Sequence, residues 1–296
     1  MKAGFVALIG RPNAGKSTLL NCLVGQKVAI VSDKPQTTRT RILGVRNGDG
    51  GQIVFIDTPG IHRPLHRLNV RMVDAAVQSM SQADVVCAVA DATEEVGAGD
   101  EYLGTLLARV DHPIVLALNK IDRVARPALL PVIARWSRVA CFEDLVPVSA
   151  LTGEQADVLV QTLLRHLPEG EPLYPDDYLT DQPERTYVAE LVREKVLRHT
   201  RDELPFSSAV LVDRFEEPGE RKLLRLFCTI LVERESQKAI VIGRGGSMIK
   251  RIGTEAREEL ERFFGARVFL DLRVKARAGW REDPRLLDEI GLREDS

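Results

Sequence analysis

Gly10-Arg11-Pro12-Asn13-Ala14-Gly15-Lys16-Ser17 follows the apolar run AGFVALI and leads straight into KSTLLNCLVG. A GxxxxGKS loop between a strand and a helix is a phosphate cradle. Its glycines let successive backbone N–H groups turn inward, and the helix N-terminus adds a dipole that favours anions. Lys16 is placed to reach the outer phosphates, and Ser17 offers a hydroxyl to magnesium. Gly10, Arg11, Pro12, Asn13, Ala14, Gly15, Lys16, Ser17 and Thr18 are therefore candidate nucleotide-binding residues.

Outward from this loop, strand-like runs alternate with helical patterns from residue 3 to about 167, among them QIVFID, ADVVCAVAD, HPIVLALN and LVPVS. That rhythm predicts an α/β fold with a mostly parallel, doubly covered sheet. RILGVR and QIVFID are separated only by NGDGG, too short for a crossover helix, so an antiparallel hairpin is expected at one sheet edge.

Three further motifs fall at strand ends in chain order. Asp57-Thr58-Pro59-Gly60 places a carboxylate for the magnesium shell and an amide, that of Gly60, for a gamma-phosphate, although DTPG alone is a common turn. Asn119-Lys120-Ile121-Asp122 can read guanine, Asn119 on the N7 side and Asp122 accepting from N1 and the exocyclic amine, which adenine cannot satisfy. Lys120 would pack its stem over the base. Ser149-Ala150-Leu151 can turn a backbone amide toward guanine O6. Each is weak singly, but their order at the ligand-binding ends of the strands points to GTP rather than ATP.

Between the first two motifs lies Pro35-Gln36-Thr37-Thr38-Arg39, a polar loop read as a switch that orders when a threonine hydroxyl meets magnesium. Thr38 is the first choice and Thr37 the second, with Ser17, Thr38 and Asp57 as the magnesium set. Lys16, Thr38, Asp57 and Gly60 are the residues expected to carry hydrolysis. The position after Gly60, where many signalling GTPases hold a water-orienting glutamine, is Ile61, so intrinsic hydrolysis should be slow.

PEGEPLYPDDYLTDQPE, from Pro168 to Glu184, is rich in proline and acid without apolar period and reads as a linker. The expected domains are residues 1–168, a linker at 169–183, and a second domain at 184–296. The second reads α-β-β-α-α-β, a smaller α+β unit. Within VIGRGGSMIKRIG, Gly243-Arg244-Gly245-Gly246 is a GxxG loop followed by a helix start at Ser247. This arrangement resembles a type II KH domain, whose loop admits a nucleic-acid backbone beside a groove for about four unpaired nucleotides.

Basic residues outnumber acidic ones from Arg221 to Arg281, and Lys238, Arg244, Lys250 and Arg251 face no acid between Ser236 and Thr254. Lys238, Ile242, Gly243, Arg244, Gly245, Gly246, Ser247, Lys250 and Arg251 are the candidate RNA-binding residues. Ile240, Ile242, Met248, Ile249 and Ile252 could line a base groove or fill the core, with core favoured. Trp280, between Arg277 and Arg281, could equally stack on a base or pack against the tail.

The whole chain holds 296 residues with 41 basic against 43 acidic, a net charge of -2, so nucleic-acid affinity must be local. The four cysteines, Cys22, Cys87, Cys141 and Cys228, lack metal-type spacing and read as buried free thiols of a reducing compartment. MKAGFVALIG is not read as a leader, and a cytoplasmic protein is expected.

GRPNAGKS, QTTR, DTPGIHRP, NKID and SAL, ahead of VIGRGGSMIKRIG, together resemble the Era family of bacterial GTPases along essentially the whole chain. Members of that subgroup carry a hydrophobic residue in place of the catalytic glutamine, matching Ile61. The resemblance implies Mg2+, a potassium ion held in part by Asn13, a monomer, and recognition of the 3′ end of 16S ribosomal RNA in small-subunit assembly. It also admits peripheral association with the inner face of the cell membrane. The alternative from another class is a nucleotide-gated protein-interaction switch with an incidental GxxG loop, which salt-independent behaviour toward RNA would favour.

Overall fold

The computed structural model describes the chain except residues 35, 49, 63–66, 201–203, 205–206, 218–222 and 293–296. Pro35 of the switch loop, Asp49 of the hairpin turn, and Arg63 and Pro64 of DTPGIHRP thus lie outside the described residues. The chain divides into two compact units, with residues 69–181 in the first and residues 182–296 in the second.

In the first unit, β1 (Lys2–Ile9), β3 (Gly51–Asp57), β4 (Val85–Asp91), β5 (Ile114–Asn119) and β6 (Asp144–Pro147) run parallel, and β2 (Ile42–Gly48) joins β3 antiparallel at the edge. The sheet order is β2-β3-β1-β4-β5-β6. Strands such as VVCAVAD and IVLALN are buried along their whole length because both sheet faces are covered. On one face α1 (Lys16–Val24) and α5 (Ala156–His166) close a core around Leu8, Leu20, Phe55 and Leu163. On the other, α2 (Arg67–Gln82), α3 (Ala98–Leu107) and α4 (Arg126–Trp136) close a second around Ile9, Met80, Leu116 and Trp136. Chain order reverses direction across the sheet between β1 and β4, the kind of switch point where such sheets open a crevice at their carboxyl ends.

Residues 169–181 belong to this first unit. They are tied along the β2–β3 hairpin: the Val45 N–H donates to the Leu179 carbonyl at 2.9 Å, Asn47 Nδ2 to the Asp176 carbonyl at 2.8 Å, and Gln52 binds the backbone of Leu173 and Tyr174. Composition marks this stretch only as a linker, because hydrogen bonds to a sheet edge leave no trace in composition.

The second unit has α6 (Glu184–His199), β7 (Ala209–Glu216), β8 (Leu223–Val232), α7 (Glu235–Ile242), α8 (Ser247–Phe264) and β9 (Arg267–Ala276), followed by α9 (Pro284–Glu289). Its sheet order is β7-β8-β9, with β9 parallel to β8. The apolar stretch before the GxxG loop is helical as α7, and α8 runs as one helix from Ser247, where the sequence places its start. Its buried residues Ile252, Ala256 and Leu260 recur every four positions, a stripe that carries the helix through Gly253 despite the cost of glycine there, about 1 kcal/mol.

Trp280 is fully buried, and its Nε1 donates to the Ser207 carbonyl at 3.0 Å, so its ring is not free to stack on a base. Cys87 and Cys228 are buried, but Cys22 is only half-buried and Cys141 is exposed, which corrects the reading of all four as buried; none forms a disulfide.

Candidate nucleotide and RNA sites

The P-loop bridges β1 and α1. Within it Lys16 folds back, its Nζ donating to the carbonyls of Gly10 at 3.0 Å and Arg11 at 3.1 Å. Burial pushes the Lys16 ammonium down to about 8, against the opposing charge of Asp57. Asp57 shifts the other way: burial raises its carboxyl above the ordinary range, opposed by Lys16 and by hydrogen bonds from Ser17 and Thr38.

Ser17, Thr38 and Asp57 meet at one point. Ser17 Oγ lies 2.7 Å from Thr38 Oγ1 and donates to Asp57 Oδ2 at 2.6 Å, and Thr38 Oγ1 reaches the same oxygen at 3.1 Å. Thr38 is buried, Thr37 only half-buried. Asp57 Oδ1 is buried without a hydrogen-bond partner among the described residues. Two hydroxyls and a carboxylate with an unsatisfied oxygen form a hard, all-oxygen donor set, which suits Mg2+.

The other motif residues converge on the same loop. Asn119 Nδ2 donates to the Ala14 carbonyl at 2.9 Å, and its Oδ1 accepts from the N–H groups of Lys120 and Ala150 at 2.8 and 2.9 Å. One side chain thus stitches the P-loop to the NKID and SAL loops. Ser149 Oγ donates to Asp122 Oδ1 at 2.6 Å, which sets the carboxylate in place, while Leu151 at the rim is exposed. The Ile61 N–H donates to the Gly10 carbonyl at 3.0 Å, and a Cβ on Gly60 would come within 2.7 Å of Pro12 Cα. Only glycine permits that approach of the DTPG turn to the P-loop. The Ile61 side chain is buried in the second core, pointing into the protein interior and not toward phosphate. Asn13 holds a left-handed backbone, φ 65, and Thr18 lies in the first turn of α1.

Three carboxylates not singled out from the sequence brace these groups. Asp91, at the end of β4, accepts from Lys120 Nζ at 2.5 Å and from Thr93. Burial would raise its carboxyl, but the bonds from Lys120 and Thr93 hold it below the ordinary range. Asp100 and Glu94 pair with Arg11 at 3.0 and 3.2 Å. A lone carboxylate closing a strand, as in VVCAVAD, was the available signal for Asp91; nothing local marks the other two.

In the second unit the GxxG loop joins α7 to α8. Gly243, Gly245 and Gly246 all take positive φ, and a Cβ on Gly245 or Gly246 would meet nothing within 4 Å, so the backbone there is open to close approach. Arg244, Ser247, Lys250 and Arg251 are exposed around it, and Lys238 and Ile242 are half-buried. Two of the cations do face acids: Lys238 lies 3.6 Å from Glu235 and Arg251 3.3 Å from Glu255, each one helical turn away and just outside the acid-free stretch. Of the apolar candidates Ile252 is core, Ile242, Met248 and Ile249 pack partly against it, and Ile240 is exposed.

A phosphate loop on β1, a switch threonine, a DTPG turn and a guanine-type NKID–SAL pair, in a chain with an open GxxG loop, define the class: a P-loop GTPase carrying a KH domain. The family model described as a 50S ribosome-binding GTPase matches residues 5–120, and that of the KH domain matches residues 203–281. GTPase Era of Geotalea daltonii is 50% identical over 289 residues, covering 98% of this chain and 97% of that protein. GTPase Era of Syntrophus aciditrophicus is 47% identical over 293 residues, covering 99% and 96%. A crystal structure of Era in complex with MgGDPNP and nucleotides 1506–1542 of 16S ribosomal RNA superposes with a TM-score of 0.96 at 43% identity, covering 99% of this chain and 100% of that one. Aquifex aeolicus Era bound to GDP.AlF4-, as a point variant, gives 0.95 at 42%, again over 99% and 100%. The chain belongs to the Era family of GTPases.

Proposed function

We propose that this GTPase binds the 3′ end of 16S ribosomal RNA through its KH domain and acts in assembly of the small ribosomal subunit, its RNA affinity depending on the bound nucleotide. The observation that carries the reading is the meeting of Ser17, Thr38 and Asp57 at the mouth of the P-loop, in a chain whose other unit presents an open GxxG backbone. The Era structure holding both MgGDPNP and nucleotides 1506–1542 supports the pairing of the two ligands.

In this reading Gly10 to Thr18 wrap the phosphates, Asn119, Lys120, Asp122, Ser149, Ala150 and Leu151 form the base site, and Ser17, Thr38 and Asp57 hold Mg2+. The metal neutralises charge on the phosphate oxygens. Lys16, leaving the Gly10 and Arg11 carbonyls, places its charge on the outer phosphates. Gly60 offers its amide to the gamma-phosphate, and Thr38 senses that phosphate's presence through the metal set. With Ile61 buried, no side chain at that position orients water; Asn13 would help to hold a potassium ion, which would supply positive charge beside the phosphates. Equal hydrolysis in sodium and potassium would remove that element. Lys238, Ile242, Arg244, Ser247, Lys250 and Arg251 flank the RNA strand, with its backbone against Gly243, Gly245 and Gly246. A role in assembly of ribosomal subunits supports a cytoplasmic location.

The test is binding of labelled 16S 3′-end RNA with GDP and then with a non-hydrolysable GTP analogue, using Gly245→Asp as control. Tighter binding with the analogue, lost in the variant, supports both the KH site and its coupling to nucleotide. Binding that ignores nucleotide but needs Gly245 removes the coupling, and no binding in any state favours a protein-interaction role.

A further inference from the structure

The sheet of the KH domain has a second face that the GxxG site does not use. On β8, Leu224, Leu226, Cys228 and Ile230 point toward the helices and the core, so the residues between them point the opposite way. Among those are Arg225 and Phe227, and the matching outward positions of β9 include Phe269 and Arg273. In the register Arg225 stands beside Phe269, and Arg214 of β7 beside Phe227.

The two rings pack at 5.9 Å between centroids, tilted by 58°. The Arg214 guanidinium lies 5.1 Å from the Phe227 centroid, and that of Arg225 lies 5.8 Å from the Phe269 centroid. Phe269 is 45% exposed, although the core on the other side of the same sheet takes large apolar groups. Its cost in water is only partly offset by one stacked guanidinium.

We infer that this outer sheet face is a second RNA-contact surface, stacking unpaired bases on Phe269 and Phe227 while the surrounding cations hold the phosphates. It rests on the RNA-binding reading of the KH domain and extends the contact beyond the GxxG groove, which lies at the junction of helices packed on the opposite face. Exchange of a guanidinium for a base keeps each ring stacked, so binding exposes no new apolar surface.

Charge selects the partner. The face carries Arg214, Arg225, Arg267, Arg273 and Lys275 against Asp213, Glu216 and Asp271. The acids are engaged locally: Asp213 accepts from Thr229, Glu216 pairs with Arg214, and Asp271 lies 3.8 Å from Arg273. Arg267 and Lys275 have no ion pair among the described residues. A protein-docking face would concentrate apolar side chains and exclude charge from its centre, whereas here two aromatic rings sit among cations.

The experiment uses the full chain with the GTP analogue and two probes, RNA of nucleotides 1506–1542 and an unpaired fragment of about four nucleotides that fills only the GxxG groove. Phe269→Ala and Arg273→Glu are each expected to weaken the long RNA about fivefold or more, the low end for one base–aromatic stack, and to leave the short one unchanged. In Phe269→Trp, indole emission is expected to be quenched by the long RNA alone; the native Trp136 and Trp280 are buried and serve as background. Unchanged affinity in both variants with no quenching, while Gly245→Asp still loses binding, overturns the inference. Failure of the unsubstituted protein to bind either RNA instead overturns the RNA-binding reading on which it rests.

Discussion

Gln52 and Tyr174 are joined by a reciprocal pair of hydrogen bonds: the Tyr174 N–H donates to Gln52 Oε1 at 2.9 Å, and Gln52 Nε2 donates to the Tyr174 carbonyl at 2.8 Å. The same fully buried side chain accepts from the Leu173 N–H at 2.7 Å and donates to Asn47 Oδ1 at 2.8 Å. Gln52 lies on β3, whose far end carries Asp57 and the DTPG turn and whose hairpin partner β2 follows the switch loop. The segment that leads to the KH domain is therefore fastened to the strand pair that joins the Thr38 loop to the DTPG turn.

Gln52→Leu removes all four bonds and leaves backbone groups of Leu173 and Tyr174 without their partner. The expected cost is about 1–3 kcal/mol, read as a lower urea midpoint, together with new protease cleavage within residues 169–181. An unchanged midpoint and cleavage pattern would show that the segment is held by other contacts.

Ser17→Ala and Asp57→Asn each take one donor from the oxygen cluster. A hydrogen bond or ligand contact to a charged group contributes about 1.5–3 kcal/mol, so magnesium-dependent affinity for the GTP analogue should fall about ten- to hundredfold. Affinity measured with EDTA present should fall much less in the same variants.

Asp122→Asn converts an acceptor into a group that can also donate. Binding of GTP should drop by about a hundredfold or more, and xanthosine triphosphate, whose C2 oxygen accepts where guanine donates, should become the better ligand. Competition against labelled GDP with both nucleotides measures this directly. The hydrogen bond from Ser149 to Asp122 Oδ1 makes Ser149→Ala a milder version of the same lesion on GTP affinity without the gain.

Burial pushes the Lys16 ammonium down to about 8, and phosphates placed against it would raise that value. Between about pH 8 and the bound value, binding must take up a proton, so affinity falls as pH rises through this window. For folding the sign is opposite: the unfolded chain binds more protons there, so stability attributable to Lys16 rises as pH goes from about 8 toward the ordinary lysine value of 10.5. Calorimetry of GTP-analogue binding at pH 8.5 in buffers of different ionisation enthalpy should show net proton uptake, absent in Lys16→Met.

Gly60→Ala would set a Cβ within 2.7 Å of Pro12 Cα and Pro12 N. The DTPG turn must retreat, and a shift of about 1 Å at a reacting centre costs about a hundredfold in rate. Hydrolysis should fall by that order while GDP affinity changes little; a normal turnover rate would mean the loop does not need this approach.

Much of the protein was legible in its sequence because the informative groups are consecutive. GRPNAGKS, DTPG, NKID and SAL are turns at strand ends, where backbone direction is set by local chemistry, and their order requires a sheet that brings those ends together. The edge hairpin followed from the length of NGDGG, and the KH order from apolar periods around GxxG. Longer-range partnerships left no such mark. Asn119 reads as a base contact in its tetrapeptide, yet its amide bridges Ala14 and Ala150, far away along the chain. Lys238 and Arg251 look unopposed in the linear window and meet Glu235 and Glu255 across one helical turn.

Neighbouring residues and periodicities of two and 3.6 are enough to give the GTPase class, the KH fold and the place of the GxxG loop. Tertiary structure alone decided that Trp280 is core, that Ile61 faces inward, that residues 169–181 are bound to a sheet edge, and that Phe227 and Phe269 share an outer face with arginines from neighbouring strands. Burial and cross-strand register depend on which distant segments meet, and that is fixed only when the whole chain packs.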